Sequence, residues 1–264
     1  VSGEKWRMDN GMSENEQIEL NSYSCLKSSQ DEKLKFDEFE LFYKGNIELL
    51  QKEKIAIVGS RKASKYTKEI TYLLAKKLSK KFVIISGGAL GVDTQAHRGS
   101  FPNTVFVSPS SLDIIYPKQN ENLIKSVYKK ALAISEYEKN YKPYKHTFLE
   151  RNRIIVKLSK FVIITQASLK SGSMRSFEWA KEYNKKVYVI PQRIGESAGT
   201  NYIAKTNQAE VIWDIDEFCK NLGISSNEKI LSLNEALKLY GSRIYEMELN
   251  SEVEIKNGKV YFNG

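Results

Sequence analysis

The chain has 264 residues and carries 41 Lys and Arg against 32 Asp and Glu, a formal net charge of +9. That length suggests one or two domains with ample core, and 41 % hydrophobic residues with 28 % charged ones exclude a disordered chain. Its two cysteines and two histidines are too few and too scattered for a disulfide framework or a thiolate zinc cage. No apolar run is long enough to span a bilayer, and no secretory leader is visible. The expectation is a cytoplasmic chain, without metal or cofactor, whose positive balance suits a polyanion.

Residues 1–33 read as a polar arm. From Leu34 to Leu50 the pattern turns amphipathic, with Phe36, Phe39, Phe42 and Tyr43. Short apolar runs and helical periods then alternate. Ile55–Val58 predicts a buried strand closed by Gly59, and Ser64 is placed to cap a helix with apolar positions Tyr66, Ile70, Leu73, Leu74 and Leu78. Strands follow near 82–85, 104–107, 132–134, 161–165, 187–190 and 211–213. Between them the pattern predicts helices through His97, over 121–130, over 148–158 and over 174–184. Strict alternation means an α/β fold: a Rossmann-like parallel sheet with helices on both faces, over 34–222. Gly223–Asn227 reads as a linker. Beyond it, over 228–264, Ser232-Leu233-Asn234-Glu235 is a capping box, and Val253–Phe262 alternates around Asn257-Gly258, a hairpin signal. That tail resembles a shortened winged helix.

In an open parallel sheet, ligands bind beyond the carboxyl ends of the strands, so the loops there carry the chemistry. Gly59-Ser60-Arg61-Lys62-Ala63-Ser64 brings amides, a hydroxyl and two cations to a helix N-terminus, which suits a phosphate; the plainer reading is a turn with surface cations. It matches neither a dinucleotide fingerprint nor a Walker A pattern, so no NAD or ATP site is implied. Ser86-Gly87-Gly88-Ala89-Leu90-Gly91-Val92-Asp93 permits close backbone approach; Asp93 and His97 share a helical face, where capping and packing suit them better than catalysis. From Lys139 to Lys160 there are seven Lys and Arg and one acid, Glu150, with Tyr141, Tyr144 and Phe148 interleaved. Cations beside rings are what single-strand binding uses, although Phe148 also fits as a core staple. Ser171-Gly172-Ser173 is a further anion site at a helix start.

These loops, in this order, resemble the DNA-processing protein A family (DprA, also called Smf). The match runs over Gly59-Ser60-Arg61, Ser86-Gly87 through Asp93 and His97, Tyr116-Pro117, Ser135-Glu136-Tyr137, Arg151-Asn152-Arg153, Ser171-Gly172-Ser173 and Gly199-Thr200-Asn201, with Leu41–Gly45 ahead of it. It covers roughly residues 35–220. The resemblance implies a non-catalytic, cytosolic, homodimeric protein of natural transformation (competence) and DNA recombination. Such a protein binds incoming single-stranded DNA, protects it and helps to load the RecA recombinase; double-stranded DNA is left open as a ligand. By motif position the DNA-binding residues are Gly59, Ser60, Arg61, Gly87, Lys145, Phe148, Arg151, Asn152, Arg153, Gly172 and Ser173. Departures are Leu90 where relatives carry a cation, and Ser111 and Gln192 where they carry glycine. The alternative is a phosphoribohydrolase-like nucleotide enzyme of the same Rossmann-like superfamily. Its Pro-Gly-Gly signature is replaced here by Ser171–Glu178, with Glu178 the lone acid.

Overall fold

A computed structural model of the chain describes residues 24–27, 32–36, 39–224, 230–250 and 252–262. The chain divides into two compact units, residues 1–215 and 216–264. In the first unit the apolar runs become strands β4 (Lys54–Val58), β5 (Val83–Ser86), β6 (Thr104–Val107), β7 (Leu132–Ser135) and β8 (Phe161–Ile164), every residue buried. Burial on both faces is why they read as continuous hydrophobic runs rather than alternating ones. Strands β9 (Lys186–Val189) and β10 (Glu210–Val211) complete one edge.

The parallel order is β7-β6-β5-β4-β8-β9-β10. Strand order therefore reverses between β4 and β8, which pair directly, with Val58 opposite Ile164. That reversal opens a crevice beyond the two carboxyl ends. Helices α1 (Lys65–Leu78), α2 (Val92–Ser100) and α3 (Glu121–Lys130) connect strands on one side of the reversal. Helices α4 (Thr147–Lys157), α5 (Gly172–Glu182) and α6 (Ala198–Lys205) serve the other side. Right-handed crossovers put the first three on one face and the last three on the opposite face. The packing agrees: α1 lies against α2, and α4 against α5.

Two features differ from the sequence expectation. The end of the polar arm and part of the amphipathic stretch are strand: β1 (Ser24–Lys27), β2 (Glu32–Phe36) and β3 (Phe39–Gly45) form an antiparallel meander, with β3 paired to β7. Phe39 and Leu41 alternate inward with Glu40 out, the period of a half-covered strand. The rest of the polar arm lies outside the described residues. The second difference is the buried face of α1. Thr67, Thr71, Leu74, Ala75 and Leu78 are buried, whereas Tyr66, Tyr72 and Leu73 are exposed. Close packing explains it, since a Cβ on Gly99 of α2 would lie 2.3 Å from the Tyr72 carbonyl oxygen. Small side chains let the helices approach, and the Thr71 hydroxyl is satisfied by Thr165 at 3.0 Å.

In the second unit, α7 (Ile215–Asn221) starts at the boundary, and residues 225–227 of the expected linker, with 228–229 beyond it, lie outside the described residues. Strands β11 (Ile230–Ser232), β12 (Val253–Lys256) and β13 (Lys259–Phe262) form an antiparallel sheet in the order β11-β13-β12. Helices α8 (Leu233–Tyr240) and α9 (Arg243–Leu249) lie between β11 and β12 in the chain. The Ser232–Glu235 capping box is present. Asn257 and Gly258 both have positive φ, as a two-residue hairpin turn demands. Ala236, Ile244, Val253 and Val260 make the small core. Among the described residues no helix is long and apolar enough to cross a membrane.

Candidate functional site

The crevice between β4 and β8 is a cavity of about 510 Å3. Its first wall is the loop from Gly59 to Ser64. The Ser60 N–H donates to the Gln166 carbonyl at 2.8 Å, and the Ser64 N–H donates to Gln166 Oε1 at 3.0 Å. Gln166 thus ties the loop after β4 to the loop after β8. Ser60 Oγ accepts from the Lys62 N–H at 3.1 Å, and Ser64 caps α1 by accepting from the Thr67 N–H. Gly91, with φ +82°, lets the next loop pass under this one, since a Cβ there would sit 2.3 Å from the Ser60 carbonyl oxygen. Arg61 projects from this fixed backbone and is exposed.

The floor is built around Arg151, whose side chain is 5 % exposed. Its Nη1 donates to the carbonyls of Gly87 and of Val107, the latter at 2.7 Å. Its Nε donates to Asn152 Oδ1 at 3.2 Å, and Nη2 lies 3.7 Å from Asp93 Oδ2. Asp93 also accepts the Ala89 N–H. Burial raises the Asp93 carboxyl above its usual range, opposed by the Arg151 charge. Burial likewise draws Arg151 down to about 10, so it stays protonated at neutral pH. Gly87 is glycine for this packing: a Cβ there would lie 2.1 Å from the guanidinium carbon. Asn120, which donates to the Gly88 carbonyl at 3.0 Å and to Thr94 Oγ1 at 2.8 Å, holds the same glycine-rich loop.

The far wall comes from α4 and α5. Lys145 and Phe148 line the cavity at the start of α4, and Arg61 lies over the Phe148 ring at 4.8 Å. Tyr116 meets the same ring edge to face at 5.4 Å. A guanidinium stacked on a ring is held flat while its edge donors remain available to a phosphate. At the start of α5, Ser171 caps by accepting from the Met174 N–H, and Asn152 Nδ2 donates to the Gly172 carbonyl at 3.2 Å. Gly172 is exposed, and a Cβ there would meet only Leu149, at 3.9 Å. The first-turn amides of a helix end there, a favourable place for an anion.

The structure therefore gathers Gly59, Ser60, Arg61, Lys145, Phe148, Arg151, Asn152, Gly172 and Ser173 around one cavity. It does not bring Arg153 there: that guanidinium pairs with Glu136 and lies over Phe39 at 4.6 Å. Gly87 lies beneath the floor and acts through Arg151. His97 is buried with Nδ1 2.7 Å from Thr104 Oγ1, and burial lowers it to about 3, so it is neutral at physiological pH. With Asp93 engaged by Arg151, the two form no catalytic dyad. Glu178 is exposed on α5 and pairs with Arg175. Gln166 and Asn120 escaped the sequence reading, because the hydrogen bonds that give them their roles reach residues far away in the chain and leave no local signature. Gln192 donates to Thr67 Oγ1 at 2.9 Å and to the Thr165 carbonyl at 2.6 Å, bracing α1 on the end of β8. Among the described residues no cluster of three or more His, Cys, Asp or Glu could hold a metal ion.

Comparison with known proteins bears on this geometry. The family model for DNA recombination-mediator protein A matches residues 28–223. DNA processing protein DprA of Streptococcus pneumoniae is 39 % identical over 168 residues, which are 62 % of this chain and 60 % of that one. The Bacillus subtilis protein of the same name is 35 % identical over 188 residues, 69 % of this chain and 63 % of that one. The chain thus spans about 60 % of the length of these two curated relatives. A solved structure of DNA processing protein A from Helicobacter pylori, concerned with that protein's single-stranded DNA binding mode, superposes with a TM-score of 0.69. It is 42 % identical, over 76 % of this chain and 95 % of that one. The Streptococcus pneumoniae structure gives a TM-score of 0.63 at 38 % identity, over 66 % of this chain and 62 % of that one. A family-model match over residues 28–223, a span that includes every loop of the crevice, makes this chain a member of the DNA recombination-mediator protein A family.

Proposed function

We propose that the crevice grips the phosphates of single-stranded DNA, with Arg61 and Lys145 as the exposed cations and Phe148 as a stacking surface. The observation that carries this reading is the convergence of those three side chains, from two distant loops, on one cavity at the strand-order reversal. The Helicobacter pylori protein, studied for its single-stranded DNA binding mode, supports it by similarity. In this reading the chain is a non-catalytic binder in the cytosol. It shields incoming strands during natural transformation, helps to load RecA, and works as a homodimer. Its ionisable floor groups favour binding over turnover, since Asp93 and Arg151 engage each other and His97 is committed to Thr104. The second unit, read as a shortened winged helix, carries six Lys and Arg against eight Asp and Glu. The excess positive charge thus resides in the first unit, where the crevice is.

The test is a titration of labelled oligo-dT at several salt concentrations. Tight binding should weaken steeply with salt, and Arg61→Ala and Lys145→Ala should each flatten the slope by about 0.7, the counterion release of one phosphate contact on a single strand. Binding that is absent, or indifferent to both substitutions, would remove the crevice as the DNA site.

A further inference from the structure

The loop between β7 and α4 carries four aromatic rings in series. Tyr137 and Tyr141 stack at 4.5 Å with planes 12° apart. Tyr141 meets Tyr144 edge to face at 5.8 Å. Tyr144 lies within 9° of parallel to His146, with centroids 5.8 Å apart. The backbone beneath these rings is fixed. The Tyr141 carbonyl accepts from the Ser111 N–H at 3.1 Å and from the Ser111 hydroxyl at 3.2 Å. The Asn140 N–H donates to the Asp113 carboxylate, and the Tyr137 hydroxyl donates to Glu150 at 2.8 Å. Thr147 Oγ1 donates to the Tyr144 carbonyl at 2.9 Å.

Rings that merely anchor a loop are buried, and these are not. Tyr144 is 52 % exposed and Tyr141 is 37 % exposed, with His146 exposed beside them. Lys139, Lys142 and Lys145 alternate with the rings and are exposed as well. Lys145 sits in the chain between Tyr144 and His146 and itself lines the crevice. The ladder of rings therefore begins at the rim of the phosphate pocket. Exposed rings on a fixed backbone lose little freedom when a base settles on them, and stacking accepts any base.

We propose that Tyr144 and His146, backed by Tyr141, are a second stacking platform for nucleobases of the strand whose phosphates occupy the crevice. This rests on the single-strand reading and extends the bound strand along the loop beyond Phe148. The experiment measures affinity at fixed salt for oligo-dT of increasing length, and for oligonucleotides of one length with a single abasic position scanned along them. The proteins are wild type, Tyr144→Leu, Tyr144→Phe and Arg61→Ala, each checked by thermal melting. Tyr144→Leu should bind the shortest oligonucleotides as wild type does, and longer ones about 5- to 150-fold more weakly, the equivalent of one lost base stack. Tyr144→Phe should restore the affinity, because stacking needs the ring and not the hydroxyl. One abasic position should weaken wild type by that same factor and leave Tyr144→Leu unaffected. Equal binding by wild type and Tyr144→Leu at every length, or losses at Tyr144 and at every abasic position that simply add, overturns the platform. If Arg61→Ala keeps wild-type affinity, the phosphate pocket fails and the platform fails with it. Loss in Arg61→Ala alone refutes only the platform.

Discussion

Replacing Gly87 by alanine separates the framework of the crevice from its contact surface. The backbone at Gly87 is open to any residue, and alanine at such a position ordinarily stabilises by about 0.4–1 kcal/mol through the unfolded chain. Here the new Cβ would lie 2.1 Å from the Arg151 guanidinium carbon and 2.2 Å from both terminal nitrogens. A flexible side chain could ordinarily swing aside, but Arg151 is enclosed and held by two carbonyls, Asn152 and Asp93. Displacing it breaks charge-assisted hydrogen bonds of about 1.5–3 kcal/mol each and leaves Asp93 buried without its counter-ion. The expected loss is roughly 3–5 kcal/mol, the usual consequence of breaking a buried pair, and it outweighs the backbone gain. Urea unfolding followed by tryptophan fluorescence reports on the first unit, because Trp179 and Trp213, the tryptophans among the described residues, both belong to it. With m of about 2–3 kcal/mol/M the midpoint should fall by roughly 1–2.5 M. Gly172→Ala is the matched control: its Cβ meets only Leu149 at 3.9 Å, so stability should stay within about 0.5 kcal/mol of wild type. A Gly87→Ala midpoint equal to wild type, or a larger loss in Gly172→Ala, would refute this reading of the floor.

Other outcomes follow from the same geometry. Phe148→Ala should weaken oligo-dT binding by about 1–3 kcal/mol while leaving the salt slope unchanged, because it removes a stacking ring and no cation; a flattened slope would mean that Arg61 depends on the ring for its position. Arg153→Gln should leave oligo-dT affinity within about twofold, or 0.4 kcal/mol, of wild type, since Arg153 pairs with Glu136 away from the crevice; a drop comparable to that of Arg61→Ala would place the strand on that face as well. His97 is held neutral in the fold, with its value lowered to about 3, so the unfolded chain binds the extra proton at mildly acidic pH. Stability therefore falls as pH drops below about 6.5, and between pH 7 and pH 5 wild type should lose about 2 kcal/mol more than His97→Asn. Parallel losses in urea titrations at the two pH values would show that another group carries the acid sensitivity.

The sequence by itself determined what depends on neighbours along the chain. Continuous apolar runs predicted the buried strands, Ser64 and Ser232 marked helix starts, and Asn257-Gly258 marked the hairpin, because caps and turns are local hydrogen-bonding problems. The loops around Arg61, Phe148 and Gly172 were legible as candidate anion and stacking sites for the same reason. What the tertiary structure decided is which of them meet, and in what role. The pairing of β4 with β8 joins segments about 100 residues apart and so creates the crevice. Arg151 and Arg153 are two residues apart with the same chemistry, yet one is enclosed under the crevice and the other stacks on Phe39. On α1 the apolar period predicted a helix, but close approach to α2 put Thr67 and Thr71 inside and Tyr66 and Leu73 outside. Gln166, whose side chain and carbonyl join the two sides of the strand-order reversal, has no sequence signature. Its role exists only once β8 lies beside β4, because a hydrogen bond between distant segments depends on where the fold brings them, not on the residues beside it in the chain.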